Sequence, residues 1–392
     1  MFFFLYLEKM NKKTAFDQQP DGTGNRIKGD LHPDSRRGRG ALSNRVGRFE
    51  KSERERIDDG WGSLEEGGKL KTEVRPDPSR SVISRNHSPD VPFDQSFNPY
   101  KGCEHGCIYC FARPTHAFLG LSPGLDFERL IFAKEDAAGL LAAELAKPSY
   151  RCQVIAFGAN TDPYQPIERE QRITRQALEV CEAFNQPVAI ITKGNLVLRD
   201  LDILERMARK NLVSVAISLT TLDRKLARTM EPRAATPMRR LDAIRELTLR
   251  GIKVSVLVAP IIPALNDHEI ERIIGLAGRA GAVSCSYVLL RLPGEIRDLW
   301  LEWLESNYPD RAGRVMKLLQ SMRGGKDYDH RWGKRMQGEG VYAKLLSDRF
   351  HLARQKYGLN RRSLRQLDTS LFSVPHQYRK SVSTLKQFDL FS

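Results

Sequence analysis

"PVAIITKGNLVLRDLDILERMARKNLVSVAISL", residues 187–219, reads as strand, helix, strand. Its ends, "PVAIITK" (187–193) and "LVSVAISL" (212–219), are short, rich in β-branched residues and nearly free of charge, as strands buried on both faces are. Between them, "RDLDILERMARK" (199–210) mixes apolar and charged residues at the spacing of a one-sided helix. Two parallel strands cannot be joined by a tight hairpin, so a helix between two such runs predicts a βαβ unit.

The same alternation extends outward in both directions. Strand-like runs recur at "CQVIAFG" (152–158), "IKVSVLVAP" (252–260) and "AVSCSYVLL" (282–290). Helical patterns fill the gaps at 134–147, 168–184, 236–250 and 266–280. The last opens on Asn266 with Glu269 three residues on, a capping-box arrangement, and ends at Gly281. With a first strand near "FDQSFNPY" (93–100), about six βα units follow one another. The predicted fold class is α/β, a partial parallel (β/α)6 TIM-like barrel. In such a sheet chemistry gathers at the C-terminal ends of the strands.

Composition bounds what surrounds this core. The chain has 392 residues, 41% of them hydrophobic and 28% charged, and a formal net charge of +15. Residues 1–88 hold "QQPDGTGNR", "RRGRG" and "RPDPSRS" with little apolar periodicity, which predicts a largely flexible polar N-terminal extension. Residues 89–308 form the expected core, and 309–392 a basic, mainly helical C-terminal extension. That last stretch carries 18 Lys and Arg against 7 Asp and Glu. No run approaches the roughly 20 apolar residues of a membrane-spanning helix. The opening "MFFFLYLEKM" lacks the basic start and cleavage site of a secretion signal, so a cytoplasmic protein is expected, with Met1 or Met10 as its start.

Six cysteines in such a chain point to metal or catalysis more than to disulfides. Cys152, Cys181 and Cys285 fall within apolar or helical runs and read as small buried hydrophobes. The other three crowd into "NPYKGCEHGCIYCFARPTHAF" (98–118) as Cys103, Cys107 and Cys110. Structural zinc wants four ligands, so His105 or His116 would have to complete such a site. An electron-transfer cluster generally wants four thiolates. A [4Fe–4S] cluster left one ligand short makes the missing cysteine a feature. Gly102 and Gly106 permit the positive φ angles with which a loop can turn its amides toward sulfur.

Cys-x₃-Cys-x₂-Cys with Tyr109 before the last cysteine resembles the signature of radical S-adenosylmethionine (SAM) enzymes. The stretches 88–134, "GANTDPYQPIE" (158–168), "TMEPRA" (229–234) and "LLRLPGEI" (289–296) resemble an uncharacterised bacterial family related to spore photoproduct lyase, over roughly residues 85–345. The resemblance implies that Cys103, Cys107 and Cys110 hold three irons while the fourth chelates SAM. Reductive cleavage of SAM would then yield a 5′-deoxyadenosyl radical that abstracts hydrogen from an unknown substrate.

Further cofactor-binding candidates follow from the same resemblance and from the strands they end. Asn160, Thr161 and Asp162 occupy the place expected to meet the SAM amino group, unless they only form a strand-to-helix turn. Lys193 and Ser218 end the next two strands, toward the SAM carboxylate. Arg233 is a candidate carboxylate clamp, with a surface ion pair to Glu231 as the alternative. Tyr109 is the favoured adenine contact, ahead of residues 259–263, Tyr287 and Leu290. One departure matters: the lyases carry a hydrogen-donating cysteine where this chain has Ala159, which leaves photoproduct repair without its donor unless Cys152, Cys181 or Cys285 reaches the site.

The basic tail has three readings: a helical cap showing its charge to water, a nucleic-acid surface, or a dock for an acidic electron donor such as flavodoxin or ferredoxin. A zinc-stabilised nucleic-acid-binding protein without catalysis is the alternative function.

Overall fold

The computed structural model describes residues 38–50, 70–360 and 367–378. Ten strands are numbered in chain order: β1 (Glu73–Pro76), β2 (Ile83–Arg85), β3 (Gln95–Phe97), β4 (Tyr100–Lys101), β5 (Leu130–Ala133), β6 (Ile155–Phe157), β7 (Val188–Thr192), β8 (Val213–Ser218), β9 (Lys253–Ile261) and β10 (Ser284–Leu289). The main sheet runs β10-β9-β8-β7-β6-β3-β2. Within this sheet β3, β6, β7, β8, β9 and β10 pair in parallel in that order, as βαβ crossovers require, while β1, β5 and β4 form a separate three-stranded sheet. In this sheet β2 is antiparallel, at the outer edge of the main seven strands.

The strands are less uniform than their apolar letters suggest. Registered pairs place Ala156 beside Ala189, Ala189 beside Ser214, Ala216 beside Ser255 and Ser255 beside Ser284 on one face. The Ser255 and Ser284 hydroxyls lie 2.6 Å apart, and Ser286 further along this face is exposed. The other face carries the branched and aromatic residues Phe97, Phe157, Ile190, Val215 and Val256, all buried. Small residues thus alternate with large ones at the period of a strand. Helices cover the large side: Ile203, Leu204 and Met207 of Leu201–Arg209 are buried, as are Ile270, Ile273, Ile274 and Ala277 of Ile270–Arg279.

Two helical expectations need correction. The 168–184 pattern is split, because Arg172 takes a left-handed backbone (φ 53°) between the helices Glu168–Gln171 and Ile173–Ala183. The capping box at Asn266 and Glu269 does not form. The Asn266 amide instead accepts from Ile262 N (2.7 Å) and donates to Thr220 O (2.8 Å) and Pro260 O (3.0 Å). Glu269 accepts from the Thr221 hydroxyl and from Leu222 N (3.2 Å). Asn266 joins the ends of β8 and β9, and Glu269 holds the chain just past β8, so neither closes a helix.

Within the stretch expected to be a flexible extension, residues 38–50 and 70–88 are woven into the core. Ala41 and Val82 are buried, β2 pairs with β3, and β1 pairs with β5. Residues 1–37 and 51–69, including both possible starts, lie outside the described residues. The C-terminal region holds the helices Pro309–Ser321 and Gly340–Lys356. The second lays Phe350 on Tyr287 of β10, ring centres 4.6 Å apart, and Asn360 forms a bridge to Ser284 at the same edge. Tyr287, expected to line the adenine, therefore faces the C-terminal helix, on the opposite face of β10 from Ser284 and Ser286.

Candidate functional site

The cysteine loop, residues 102–129, leaves the sheet at one place and returns there. β4 and β5 close its base, with Tyr100 opposite Ala133 and Lys101 opposite Phe132. Gly102 (φ 85°) and Gly106 (φ 65°) turn the chain where a side chain would collide: a Cβ would meet Ile131 Cδ1 at 2.9 Å at the first and Glu128 Oε2 at 2.7 Å at the second. Cys103 N donates to Phe127 O (2.9 Å) and Ile108 N to Met230 O (3.0 Å), tying the loop to its own return and to the end of the helix Arg224–Met230.

A buried arginine sets the loop's shape. Arg113 donates to the carbonyls of Cys107 (2.9 Å), Pro123 (3.1 Å), Gly124 (2.9 Å) and Gly106 (3.1 Å), and to Glu128 Oε1 (2.5 Å). Glu128 also accepts from Gly40 N (2.9 Å) and Ala41 N (2.8 Å), so the N-terminal segment is locked onto the loop from outside. Arg113 and Glu128 side chains are both fully buried. Replacing one charge of such a pair strands the other, which typically costs about 3–5 kcal/mol. Arg113→Met is expected to lose stability of that order in urea unfolding at pH 7; an unchanged midpoint would contradict the assigned role.

All six cysteines are free. Cys103 and Cys107 are buried, Cys110 partly so, and the three thiols affect one another electrostatically. Burial, then Asp162 and the two neighbouring thiols, push Cys103 well up, and burial pushes Cys107 up to about 12 against the opposing pull of Lys193. Thiolates here need a bound cation, and coordination by metal supplies one. Among the described residues no three His, Cys, Asp or Glu side chains converge to hold a single metal ion. Of the two histidines either of which could complete a zinc site, His105 has Nδ1 3.3 Å from Asp162 Oδ2, and His116 has Nε2 3.0 Å from Leu130 O while its Nδ1 is buried without a partner.

The strand ends bring most of the expected residues to this loop. Lys193, just past β7, stands with its ammonium 5.7 Å from the Tyr109 ring centre. Burial lowers its affinity for a proton, but Cys107 and Glu231 raise it more, so the group stays charged. Asp162 is a hub with no free oxygen: it accepts from Thr192 Oγ1 (2.6 Å), Tyr164 N (2.9 Å) and Lys193 N (2.7 Å) besides its contact with His105. Burial would raise it, yet His105 and these donors hold it at about 2. Thr161 donates to Tyr100 O (2.7 Å), and Asn160 N to Asn98 Oδ1 (2.9 Å). Asp162 and Thr161 thus shape the turn, while the half-buried Asn160 side chain remains the candidate that can reach a ligand.

Sequence reasoning missed the ionic network under this site. Glu231 accepts from the Tyr109 and Thr220 hydroxyls and from Arg240 Nη2 (2.5 Å). Arg240 also donates to Ser218 O (3.1 Å) and Ala235 O (2.7 Å), so it anchors the end of β8 where Ser218 is buried. The surface pair of Arg233 with Glu231, the alternative to a carboxylate clamp, does not occur. Arg233 instead meets Glu104 Oε1 (2.9 Å) and its backbone N donates to His105 O (3.3 Å), which places it over the cysteine loop. Arg239 and Arg240 look alike in sequence; only the fold separates the exposed one from the buried one.

A family model described as the radical SAM superfamily matches residues 97–277. Over 232 residues the chain is 37% identical to an uncharacterised protein of Mycobacterium tuberculosis, covering 59% of this chain and 68% of that one. The chain belongs to the radical SAM superfamily. An uncharacterised protein of Methanocaldococcus jannaschii is 28% identical over 213 residues, 54% of this radical SAM chain and 76% of the relative. A spore photoproduct lyase mutant with bound AdoMet and dinucleoside spore photoproduct shares the fold, with a TM-score of 0.52 at 17% identity, covering 72% of this chain and 78% of that one.

In this radical SAM protein none of the remaining thiols stands in for a cysteine at Ala159. Cys152 precedes β6, at the opposite end of that strand from Ala159, with its thiol 3.6 Å from Gln186 Oε1. Cys181 is buried within the helix Ile173–Ala183, and Cys285 shares the outer face of β10 with Tyr287. Among the described residues no helix is long and apolar enough to cross a membrane.

Proposed function

We propose that the chain is a radical SAM enzyme in which Cys103, Cys107 and Cys110 hold a [4Fe–4S] cluster and leave one iron for SAM. When bound and reduced, this pair supplies a carbon-centred radical that takes hydrogen from a substrate C–H bond. The observation that carries the reading is the set of three free, largely buried thiols on a loop whose backbone is pinned by Arg113, with the charged Lys193 facing them. The sequential parallel strand order with open outer edges supports a partial (β/α)6 barrel around that site.

The chain's residues divide the work. Arg113 and Glu128 fix the loop, and Asp162 fixes the backbone on which Lys193 stands. Lys193, Asn160 and Ser218 line the strand ends where the amino-acid part of SAM binds, and Tyr109 is held by Glu231 and Thr220 at the position proposed for adenine. Arg233, paired with Glu104, is less suited to a SAM carboxylate than Lys193. Replacing Lys193 with Met is expected to lower deoxyadenosine formation on the order of 10- to 100-fold, the scale of a lost charge-assisted contact, with iron content unchanged. Loss of iron together with activity would instead make Lys193 a structural residue.

The absence of a thiol at Ala159 directs the reading away from photoproduct repair. The substrate is open, with nucleic acid as a candidate class. On the tail, Arg311, Arg314 and Lys317 are exposed at helical spacing, while Arg331, Lys334, Arg335, Lys344 and Arg349 are spent on ion pairs. The same exposed stripe would serve a flavodoxin or ferredoxin as electron donor, in a cytoplasmic setting. Anaerobic purification tests the central reading: a brown protein with about four irons per chain supports it, and a colourless one with a single zinc overturns it.

A further inference from the structure

The stretch "LLRLPGEI" (289–296) runs on from the last residue of β10, yet its arginine has no part in the site described so far. Arg291 stands at the C-terminal end of the sheet, on the same side as the cysteine loop. Its guanidinium carbon lies 5.4 Å from the ring centre of Phe111 and 5.9 Å from that of Tyr328. Phe111 follows Cys110 directly and is 47% exposed, although Cys110 itself is partly buried.

The donors of Arg291 are poorly spent. Nη2 donates to the Tyr328 hydroxyl at 3.2 Å, Nη1 reaches only the weakly accepting sulfur of Met336 at 3.6 Å, and Nε is buried without a partner. Acidic groups of the neighbouring loop are committed elsewhere, Asp327 to Arg297 and Gln320, and Asp329 to Arg331. Beside it Arg323, 2% exposed, donates to Leu290 O and Lys334 O, and its Nε is also buried and unpartnered. An idle surface arginine turns toward water or a carboxylate. One held between two rings with N–H groups unspent is preorganised for an anion that arrives from outside, since ring contacts offset only part of its desolvation.

We infer that Arg291, walled by Phe111 and Tyr328, forms a subsite for an oxyanion, carboxylate or phosphate, carried by the substrate, next to the proposed cluster. The planar guanidinium suits two oxygens of such a group, and the exposed Phe111 face gives an adjoining ring a surface to stack on. That the ligand is a substrate rests on the radical SAM reading; that an anion binds here does not.

The test uses three small probes with one ring and different charge: phenyl phosphate, phenylacetate and benzyl alcohol. They are titrated by calorimetry into the anaerobically purified protein. At least one anion is expected to bind, at least tenfold more tightly than benzyl alcohol, and the tighter of the two names the oxyanion. Arg291→Gln should weaken it at least tenfold, Arg291→Lys less, and Arg279→Gln, which removes an exposed charge elsewhere, not at all. Melting curves of each variant verify folding. Equal binding by folded Arg291→Gln, equal binding of benzyl alcohol, or no anion binding at millimolar concentration overturns the subsite. Protein that binds anions through Arg291 but makes no deoxyadenosine keeps the subsite and loses the radical reading, and the reverse result does the opposite.

Discussion

Cys107→Ser protein, purified without oxygen, is expected to hold less than about one iron per chain where the parent holds about four, and to lose deoxyadenosine formation on the order of a thousandfold. The side chain differs by one atom, so packing barely changes. What changes is the ligand: a serine hydroxyl at neutral pH does not give the soft anionic donor that iron and sulfide require. Cys107 is also the thiol most directly faced by Lys193 and the one whose carbonyl Arg113 holds, so a ligand lost here is not replaced from nearby. Cys285→Ala provides the contrast, because that thiol sits on the outer face of β10 and should leave iron content unaltered. Similar iron in both variants would dissociate the cluster from this loop.

Glu231→Gln should cost about 3–5 kcal/mol, because it leaves Arg240, 1% exposed, as an uncompensated buried charge. Urea unfolding at pH 7 reads this directly. The double variant Glu231→Gln with Arg240→Met should recover much of the loss, since the isolated charge is then gone. Acid gives a second readout. Burial would raise Glu231, but Arg240, Lys193 and the hydroxyls of Thr220 and Tyr109 hold it at about 2, against 4.5 for a free glutamate. A depressed carboxyl stabilises the fold above its unfolded value, so this contribution is complete above pH 4.5 and vanishes as pH falls toward 2. In Glu231→Gln the slope of stability against pH across that window should be shallower. An identical slope would mean that Glu231 is already protonated or solvated in the folded protein.

The alternation of strand and helix was readable because β-branched runs and one-sided helices have different periods. What hid was the side of each strand that faces the site. Alanine and serine there sit among valines and isoleucines, and Ala156, Ala189 and Ala216 do not interrupt an apolar run. The cysteine loop was legible because its chemistry is local, three thiols in eight positions. Its support was not, because Gly40 and Glu128 meet across 88 residues of chain. Asn266 and Glu269 show the converse error: a local pattern that matches a capping box is overridden when Asn266 can tie β8 to β9 and Glu269 can hold the chain just past β8. Lys193 stood out in the sequence because a lysine at the tip of an apolar strand needs an anionic neighbour, and the fold sets Glu231 near it. Arg240 was not, because nothing in "MRRL" (238–241) tells which arginine turns inward.

The most direct test of the incomplete ligand set is electron paramagnetic resonance of the dithionite-reduced, oxygen-free protein before and after SAM is added. A cluster held by Cys103, Cys107 and Cys110 alone has an iron open to SAM, so its signal should change shape on addition, and the change should be absent with methionine-free adenosine. A cluster signal that SAM leaves untouched would mean a fourth ligand from the protein and would contradict the account.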